Sequence, residues 1–238
     1  MDSLQFDLAS HPVKDTIKLL TSLLEKITNG NDQLHSDAGQ LDPSSYTCFH
    51  ARSVPNISIH AYFTRILKYC PCANECLIAL LVYFDRMNQA KPSRRIPPLH
   101  VDSYSIHRLI ITGLMISSKL YSDVFFTNTR YAKVGGLTVT ELNALELEFL
   151  YLNDYDLFVT IDELQEYGNK LLVHWHYMKS TQKNEEVTKP FGRLSVNSND
   201  NLALSPVAVN NNSTEDHWAC KKVPALCRDN VRTKKRVH

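Results

Sequence analysis

Two long segments of the chain are apolar on nearly every side, and they constrain the fold more than any other feature of the sequence. Residues 77–84 are an uninterrupted apolar run, and apolar residues between Ile106 and Ile116 cover most of the circumference of a helix. A helix without a polar face is stable only when other helices surround it. Strand-like alternation is nearly absent elsewhere, so the sequence predicts an all-α bundle built around these two segments.

Helical periodicity predicts five helices in the middle of the chain. Asn128 is predicted to cap the start of the fourth helix, and the glycines at 135–136 are predicted to end it. Thr138 and Glu141 have the spacing of a capping box at the start of the fifth helix. The five predicted helices span residues 58–69, 73–87, 102–120, 128–134 and 138–153.

One amphipathic helix is predicted before this group and another after it. The first is predicted over residues 13–27, and the Asn-Gly-Asn-Asp sequence at 29–32 is expected to end it. The second is predicted over residues 161–178. We therefore divide the chain into an N-terminal helix and linker (1–45), a helical domain (46–178) and a flexible polar and basic tail (179–238).

Gly113 lies in the middle of the third predicted helix, where glycine costs about 1 kcal/mol relative to alanine. Glycine is scarce in this chain, with 7 in 238 residues, so a glycine within a helix requires a specific reason. We interpret Gly113 as a structural residue that allows a neighbouring helix to approach closely.

Composition excludes several classes of function. A net charge of +1 provides no general attraction to nucleic acid or to an anionic membrane. No apolar run approaches the roughly 20 residues that span a bilayer, and the first residues lack the features of a signal peptide. We therefore expect an intracellular protein, in the nucleus or the cytoplasm or both, without nucleic-acid or membrane partners.

The sequence contains no motif for catalysis or cofactor binding. Phosphate-cradling loops, nucleophile elbows and zinc-protease helices are all missing. Cys70, Cys72 and Cys76 lie close together, but they lack the paired spacing and the second ligand pair of a structural zinc site. We predict that they are free thiols, and that the chain has no catalytic residue, metal or cofactor.

Six short motifs follow one another in the helical part of the chain. In chain order they are Tyr83-Phe84-Asp85-Arg86, Ser105-Ile106-His107-Arg108-Leu109, Met115-Ile116-Ser117-Ser118-Lys119-Leu120-Tyr121, Asn128-x-x-Tyr131-Ala132-Lys133-Val134-Gly135-Gly136, Leu142-Asn143-x-x-Glu146-Leu147-Glu148-Phe149-Leu150 and Tyr155-Asp156-Leu157. Together and in this order they resemble the cyclin box of the P- and U-type cyclins, the phosphate-signalling type. The resemblance covers residues 46–178.

The resemblance implies one five-helix cyclin box in a protein that performs no chemistry itself. Cyclins bind a cyclin-dependent protein kinase and hold its regulatory helix inward, so that a glutamate on that helix pairs with the ATP-binding lysine. We therefore expect the activating subunit of such a kinase. The alternative is a cyclin-fold binding module or scaffold that activates no kinase. Which kinase it binds, and whether it acts in phosphate sensing, the cell cycle or transcription, stays open.

The resemblance also assigns residues to kinase binding. Lys119 corresponds to the lysine that contacts backbone at the end of the kinase regulatory helix, and Glu146 corresponds to the glutamate that works beside it. Glu148 is a neighbouring candidate for the role of Glu146. Without the resemblance, Lys119 could simply cap its own helix, and Glu146 could form an internal salt bridge.

Asp85 resembles a structural aspartate that pairs with an arginine near the start of the first box helix. This chain has Asn56 in the equivalent region, and Arg65 is the nearest basic residue, so the partner of Asp85 stays open. In the tail, Ser205-Pro206 resembles a site for a proline-directed kinase. The basic residues between Lys221 and Arg236 are compatible with a nuclear import signal, although solvated tails often carry such clusters.

Overall fold

Seven α-helices and no strands make up the part of the chain that the structure describes. The structure is a computed structural model that describes residues 5–37, 47–89, 99 and 101–187, without the side chains of 35–37 and 181–187. The prediction of an all-α protein is confirmed. The helices are α1 (Val13–Asp37), α2 (Ile59–Tyr69), α3 (Asn74–Asn88), α4 (Ile106–Tyr121), α5 (Asn128–Gly135), α6 (Val139–Leu152) and α7 (Ile161–Val187).

The two apolar segments form the centre of the bundle, as predicted. Every residue from 76 to 84 on α3 is buried, and so is every residue from 109 to 118 on α4. α3 and α4 pack against each other, and α4 also contacts α2, α5 and α6. Neighbouring helices cover both segments from every side, which explains why neither segment needs a polar face.

Gly113 allows the close approach that the sequence predicts. A Cβ atom at this position would lie 2.3 Å from Leu80 Cδ1 on α3 and 3.1 Å from Phe149 Cζ on α6. No side chain larger than hydrogen can be accommodated there without moving one of the two neighbours. Gly113 therefore sets the spacing of α4 from both α3 and α6.

The predicted helix ends are confirmed in part. Gly136 ends α5 in the left-handed region with φ of 75°, and the Thr138 hydroxyl accepts a hydrogen bond of 3.1 Å from the Glu141 N–H. The prediction that Asn128 caps α5 is wrong. Thr127 has the extended backbone of a cap, and its hydroxyl accepts from the Arg130 N–H at 3.4 Å. Asn128 is the first residue of the helix itself, so its side chain does not cap α5.

α4 begins four residues later than predicted. Asp102 Oδ1 accepts hydrogen bonds from the backbone N–H groups of Tyr104, at 3.1 Å, and Ser105, at 2.8 Å. This side-chain turn occupies the chain before Ile106, where the helix begins.

α1 continues through the segment that was expected to end it, so that prediction is wrong. Gly30 lies in open space, and its cost within a helix is only about 1 kcal/mol. The Asn31 side chain donates to the Val101 carbonyl at 2.7 Å, and the Ser103 N–H donates to Asp32 at 3.1 Å. These two contacts with the chain before α4 stabilise the last turns of α1.

The N-terminal segment packs on the bundle, a point that the sequence left open. Phe6 is fully buried, and its N–H donates to the side-chain oxygen of Asn169 on α7 at 2.8 Å. The buried Asn74 amide donates to the carbonyls of Leu8, at 3.1 Å, and His11, at 2.7 Å. Residues 5–37 therefore contribute to the same core as the helices that follow. The division of the chain at residue 45 stays a prediction.

α7 extends nine residues beyond its predicted end at 178. The prolines at 92, 97 and 98, the Ser205-Pro206 pair and the basic residues between 221 and 236 lie outside the described residues. Within the described part, no helix combines the length and the apolar character that crossing a membrane requires.

Candidate functional site

Lys119 and Glu146 meet at the surface of the bundle. Lys119 lies in the last turn of α4, and its Nζ is 2.6 Å from Glu146 Oε1 on α6. The Lys119 side chain is 33% exposed and the Glu146 side chain 20%. The two residues that the sequence assigns to kinase binding are therefore in contact with each other and open to solvent.

Packing in the centre brings these two side chains together. Gly113 and Phe149 bring α4 and α6 close to each other, and Ser118 is the last buried residue before Lys119 emerges from the core. On α6, Glu146 follows the buried Leu145 and lies at the edge of the buried face. A lysine at the end of one helix can therefore reach a carboxylate near the middle of the other.

Asn128 connects the pair to a third helix. Its Nδ2 donates to Glu146 Oε2 at 2.7 Å and to Asn143 Oδ1 at 2.7 Å. Sequence reasoning missed this role because Asn128 was interpreted as a helix cap. Thr127, just before it, is also a favoured cap residue, and this was the one signal in the sequence that Asn128 could have another role. We refer to Lys119, Asn128, Asn143 and Glu146 as the Lys119 cluster.

Hydrogen-bonding capacity within the Lys119 cluster is only partly used. Each Glu146 oxygen accepts one hydrogen bond, from Lys119 or from Asn128. A lysine ammonium has three N–H donors, and among the described residues only Glu146 accepts from Lys119. The charges of the pair cancel, so the cluster presents directed N–H donors rather than a net charge. Such a group is suited to unpaired carbonyl groups on a partner.

Apolar side chains flank the cluster on both of its long helices. Leu120 follows Lys119, and Leu147 and Tyr151 lie one turn apart on α6; each of these three is nearly half exposed. Val124 and Phe125, just after α4, are more than half exposed. A polar centre with large exposed apolar neighbours has the composition of a protein-binding surface.

Glu148 does not join the Lys119 cluster. It lies two positions after Glu146, which places the two side chains about 200° apart around α6. Glu148 is half-buried between the buried Leu145 and Leu152, and burial raises the pKa of its carboxyl. Of the two predicted carboxylates, Glu146 is the one that meets Lys119.

Asp85 and Arg65 lie on different helices. Asp85 Oδ2 accepts hydrogen bonds from the Tyr167 hydroxyl on α7, at 2.6 Å, and from the Gln89 amide, at 3.2 Å. Burial, followed by the hydrogen bond to Asp85, raises the pKa of Tyr167. Arg65 is exposed on α2. Tyr167 is thus one partner of Asp85, a residue that the sequence did not indicate.

Arg86, next to Asp85, holds the connection between α6 and α7. It donates to the carbonyls of Asp156, at 2.9 Å, and Phe158, at 3.2 Å, and it pairs with Glu163 at 3.0 Å. This connection contains two non-glycine residues with positive φ, Asp154 at 56° and Tyr155 at 59°. Such a conformation costs free energy and persists only when surrounding contacts hold it. Arg86 binds this connection at the Asp156 and Phe158 carbonyls and joins it to α7 through Glu163.

The predicted free thiols are confirmed for the cysteines that the structure describes. Cys70 and Cys76 are buried, and Cys72 is half-buried. Within the described ranges, no group of three or more His, Cys, Asp or Glu side chains could hold a metal ion.

Comparison with known proteins shows the family to which this chain belongs. A family model described as Cyclin matches residues 14–157, from α1 to the connection after α6. PHO85 cyclin-like protein psl1 of Schizosaccharomyces pombe is 40% identical over 187 residues, covering 74% of this chain and 73% of the relative. PHO85 cyclin-7 of Saccharomyces cerevisiae is 40% identical over 183 residues, covering 71% of this chain and 64% of the relative. Cyclin-U4-1 of Arabidopsis thaliana is 36% identical over 187 residues, covering 79% of this chain and 88% of the relative.

Proposed function

Because the chain belongs to the cyclin family, we propose that it is the activating subunit of a cyclin-dependent protein kinase and that the Lys119 cluster contacts the kinase. The observation that carries this proposal is the position of Lys119. Its ammonium is at the surface and is oriented by Glu146 at 2.6 Å, and Leu120, the next residue in the chain, is also exposed.

The unused N–H donors of Lys119 match the end of a helix. The last four carbonyl groups of an α-helix have no partner within the helix and carry a partial negative charge. We propose that Lys119 donates to such carbonyls at the C-terminal end of the kinase regulatory helix. Glu146 keeps the ammonium in place, and its remaining lone pairs accept from N–H groups of the kinase.

The apolar neighbours supply affinity, and the Lys119 cluster supplies orientation. Leu120, Leu147 and Tyr151 expose apolar surface that a partner would bury, at about 25 cal/mol for each Å². A helical interface of ordinary size buries about 1,600 Å² in total. Activation is then a shift of population, because the kinase binds this surface only when its regulatory helix is turned inward. Moving a kinase from 1:99 to 99:1 in favour of that state requires about 5.5 kcal/mol.

The partner that we propose is a kinase of the PHO85 type. The names of the two fungal relatives above associate those proteins with PHO85, and each is 40% identical to this chain. In this proposal the kinase supplies every catalytic group, and the cyclin supplies only the surface that selects the active conformation.

A test compares the wild-type chain with the double variant Lys119→Ala, Glu146→Ala. Kinase affinity is measured by calorimetry with a purified PHO85-type kinase, and kinase activity is measured on a peptide substrate. We expect the double variant to lose about 30-fold or more in affinity, because it removes a central polar contact of the interface. Kinase activity at a fixed cyclin concentration is expected to fall as the affinity falls.

A matched control is available on α7. Lys170 and Glu166 form an ion pair of 2.7 Å, more exposed than the first pair, on a helix that packs against α1 and α3. Lys170→Ala with Glu166→Ala should leave both affinity and activity unchanged. If the Lys119 and Glu146 double variant behaves like this control, the proposed contact is wrong. Wild-type binding without activation would instead favour a cyclin-fold scaffold.

A further inference from the structure

We infer that Asn128 is a positioning residue for kinase binding, which acts by holding the Glu146 carboxylate in the orientation that directs Lys119. This inference rests on the proposed function. Asn128 Nδ2 is 2.7 Å from Glu146 Oε2, on the opposite side of the carboxylate from Lys119. The carboxylate is therefore held from two helices at once.

The Asn128 amide has one orientation available to it. An amide nitrogen carries two hydrogens, and both are used, one by Glu146 Oε2 and the other by Asn143 Oδ1 at 2.7 Å. A flipped amide would place its oxygen against two other oxygens and lose both bonds. Asn143 therefore fixes Asn128, and Asn128 fixes Glu146.

Without Asn128, the contact between Lys119 and Glu146 would be an ordinary surface ion pair. Both side chains are long, and ordering each of them costs conformational entropy of about 1.5–2 kcal/mol. Exposed pairs of this kind contribute little because that cost offsets the attraction. Asn128 is short, and it starts from the first turn of α5, so it lends the rigidity of a third helix to the carboxylate.

A purely structural role for Asn128 in α5 predicts a different result from a positioning role. Asp is isosteric with Asn, and a carboxylate is favourable in the first turn of a helix. If Asn128 mattered only for the stability of α5, Asn128→Asp would behave better than Asn128→Ala. If it acts through Glu146, Asn128→Asp should be the worse of the two, because it places a second carboxylate against the first.

The experiment measures the Kd for a purified PHO85-type kinase by calorimetry with full-length variants. We expect Asn128→Ala to raise the Kd about tenfold, the value for losing a hydrogen bond to a charged group, and Asn128→Asp to raise it further. In a Glu146→Ala background, either change at Asn128 should alter the Kd less than about twofold. Thermal unfolding and helical content are measured for every variant and should match wild type.

Three results would overturn the inference while leaving the proposed function in place. The first is wild-type affinity in both Asn128 variants. The second is an equal loss of affinity with and without Glu146, and the third is better binding by Asn128→Asp than by Asn128→Ala. Either of the last two would show that Asn128 acts independently of Glu146. A wild-type chain that binds no kinase overturns the proposed function and this inference together.

Discussion

The two ends of α4 each join a carboxylate to a nitrogen-bearing side chain, but in opposite surroundings. Before the first turn, Asp102 Oδ2 accepts from His50 Nε2 at 3.0 Å, and these side chains are only 2% and 6% exposed. After the last buried residue, Glu146 accepts from Lys119 at 2.6 Å at the surface, where the two side chains are 20% and 33% exposed. Similar chemistry therefore occurs once inside the fold and once on its surface.

The buried pair has partners on every side. Asp102 also accepts from the N–H groups of Tyr104 and Ser105, and His50 Nδ1 accepts from the Thr47 N–H at 3.1 Å. Since Nδ1 accepts, the ring hydrogen is assigned to Nε2, which donates to Asp102. The exposed pair keeps two N–H donors unused among the described residues. The buried pair therefore has its hydrogen-bonding groups occupied within the fold, as a structural contact does. The surface pair keeps donors that a partner could use.

Among the variants considered, removing the Asp102 carboxylate of the buried pair should lower stability most. Asp102→Ala leaves His50 buried without its carboxylate, and we expect the free energy of unfolding to fall by about 3 kcal/mol. Urea unfolding measures this loss. The control is Asp15→Ala, which removes the exposed ion pair with Lys18 and should leave stability almost unchanged. Equal losses in the two variants would contradict the distinction between buried and exposed pairs.

Adding a methyl group at Gly113, in the middle of α4, should lower the stability of the protein. Gly113→Ala places a Cβ 2.3 Å from Leu80 Cδ1, and we expect a loss of about 1–3 kcal/mol in the free energy of unfolding. Gly30→Ala on α1 is the matched control, because nothing lies within 4 Å and alanine is the better helix former. That variant should gain up to about 1 kcal/mol. Urea unfolding of the two variants should therefore give changes of opposite sign.

Removing the exposed pair should have a small effect on stability. Lys119→Ala is expected to change the free energy of unfolding by less than about 1 kcal/mol, because solvent screens the pair. Thermal unfolding checks this value, alongside the kinase affinity that the same variant should lose. A loss as large as that of Asp102→Ala would show that Lys119 serves mainly to hold the fold together.

The smallest expected effect is on the dependence of stability on pH. Burial would raise the pKa of Asp102, but hydrogen bonds from His50 and Ser105 outweigh it, and the pKa lies below its ordinary value. The resulting stability is present above the unfolded pKa of about 3.9 and is lost as the pH falls through the lower folded pKa. Urea unfolding from about pH 5 to pH 2 should therefore show a steeper loss for wild type than for Asp102→Asn. Parallel curves would exclude this contribution.

Much of the fold could be predicted because it depends on short-range pattern. The bounds of α2, α3 and α6 were predicted to within one residue, since apolar periodicity, prolines and capping residues all lie within a few positions of each helix end. The failures occurred where a distant segment overrides the local signal. α1 passes Gly30 because Asn31 and Asp32 bind the chain at Val101 and Ser103, about 70 positions away.

In the candidate site too, some residues could be predicted from the sequence and others required the packing of the helices. Lys119 and Glu146 were found from motifs, but the choice between Glu146 and Glu148 requires the rotation of α6 against α4. Asn128 was misassigned because a cap and a contact between helices use the same side chain, and only the position of α6 decides between them.

Local patterns in the sequence were enough to establish a helical bundle built around two fully apolar segments and to show the motifs of the family. Each of these depends on residues a few positions apart. Tertiary structure alone decided which carboxylate meets Lys119, which residue orients it, and how far α1 extends. Those outcomes depend on how helices rotate and cross when packed, and Gly113, Leu80 and Phe149 set that geometry jointly from three different helices.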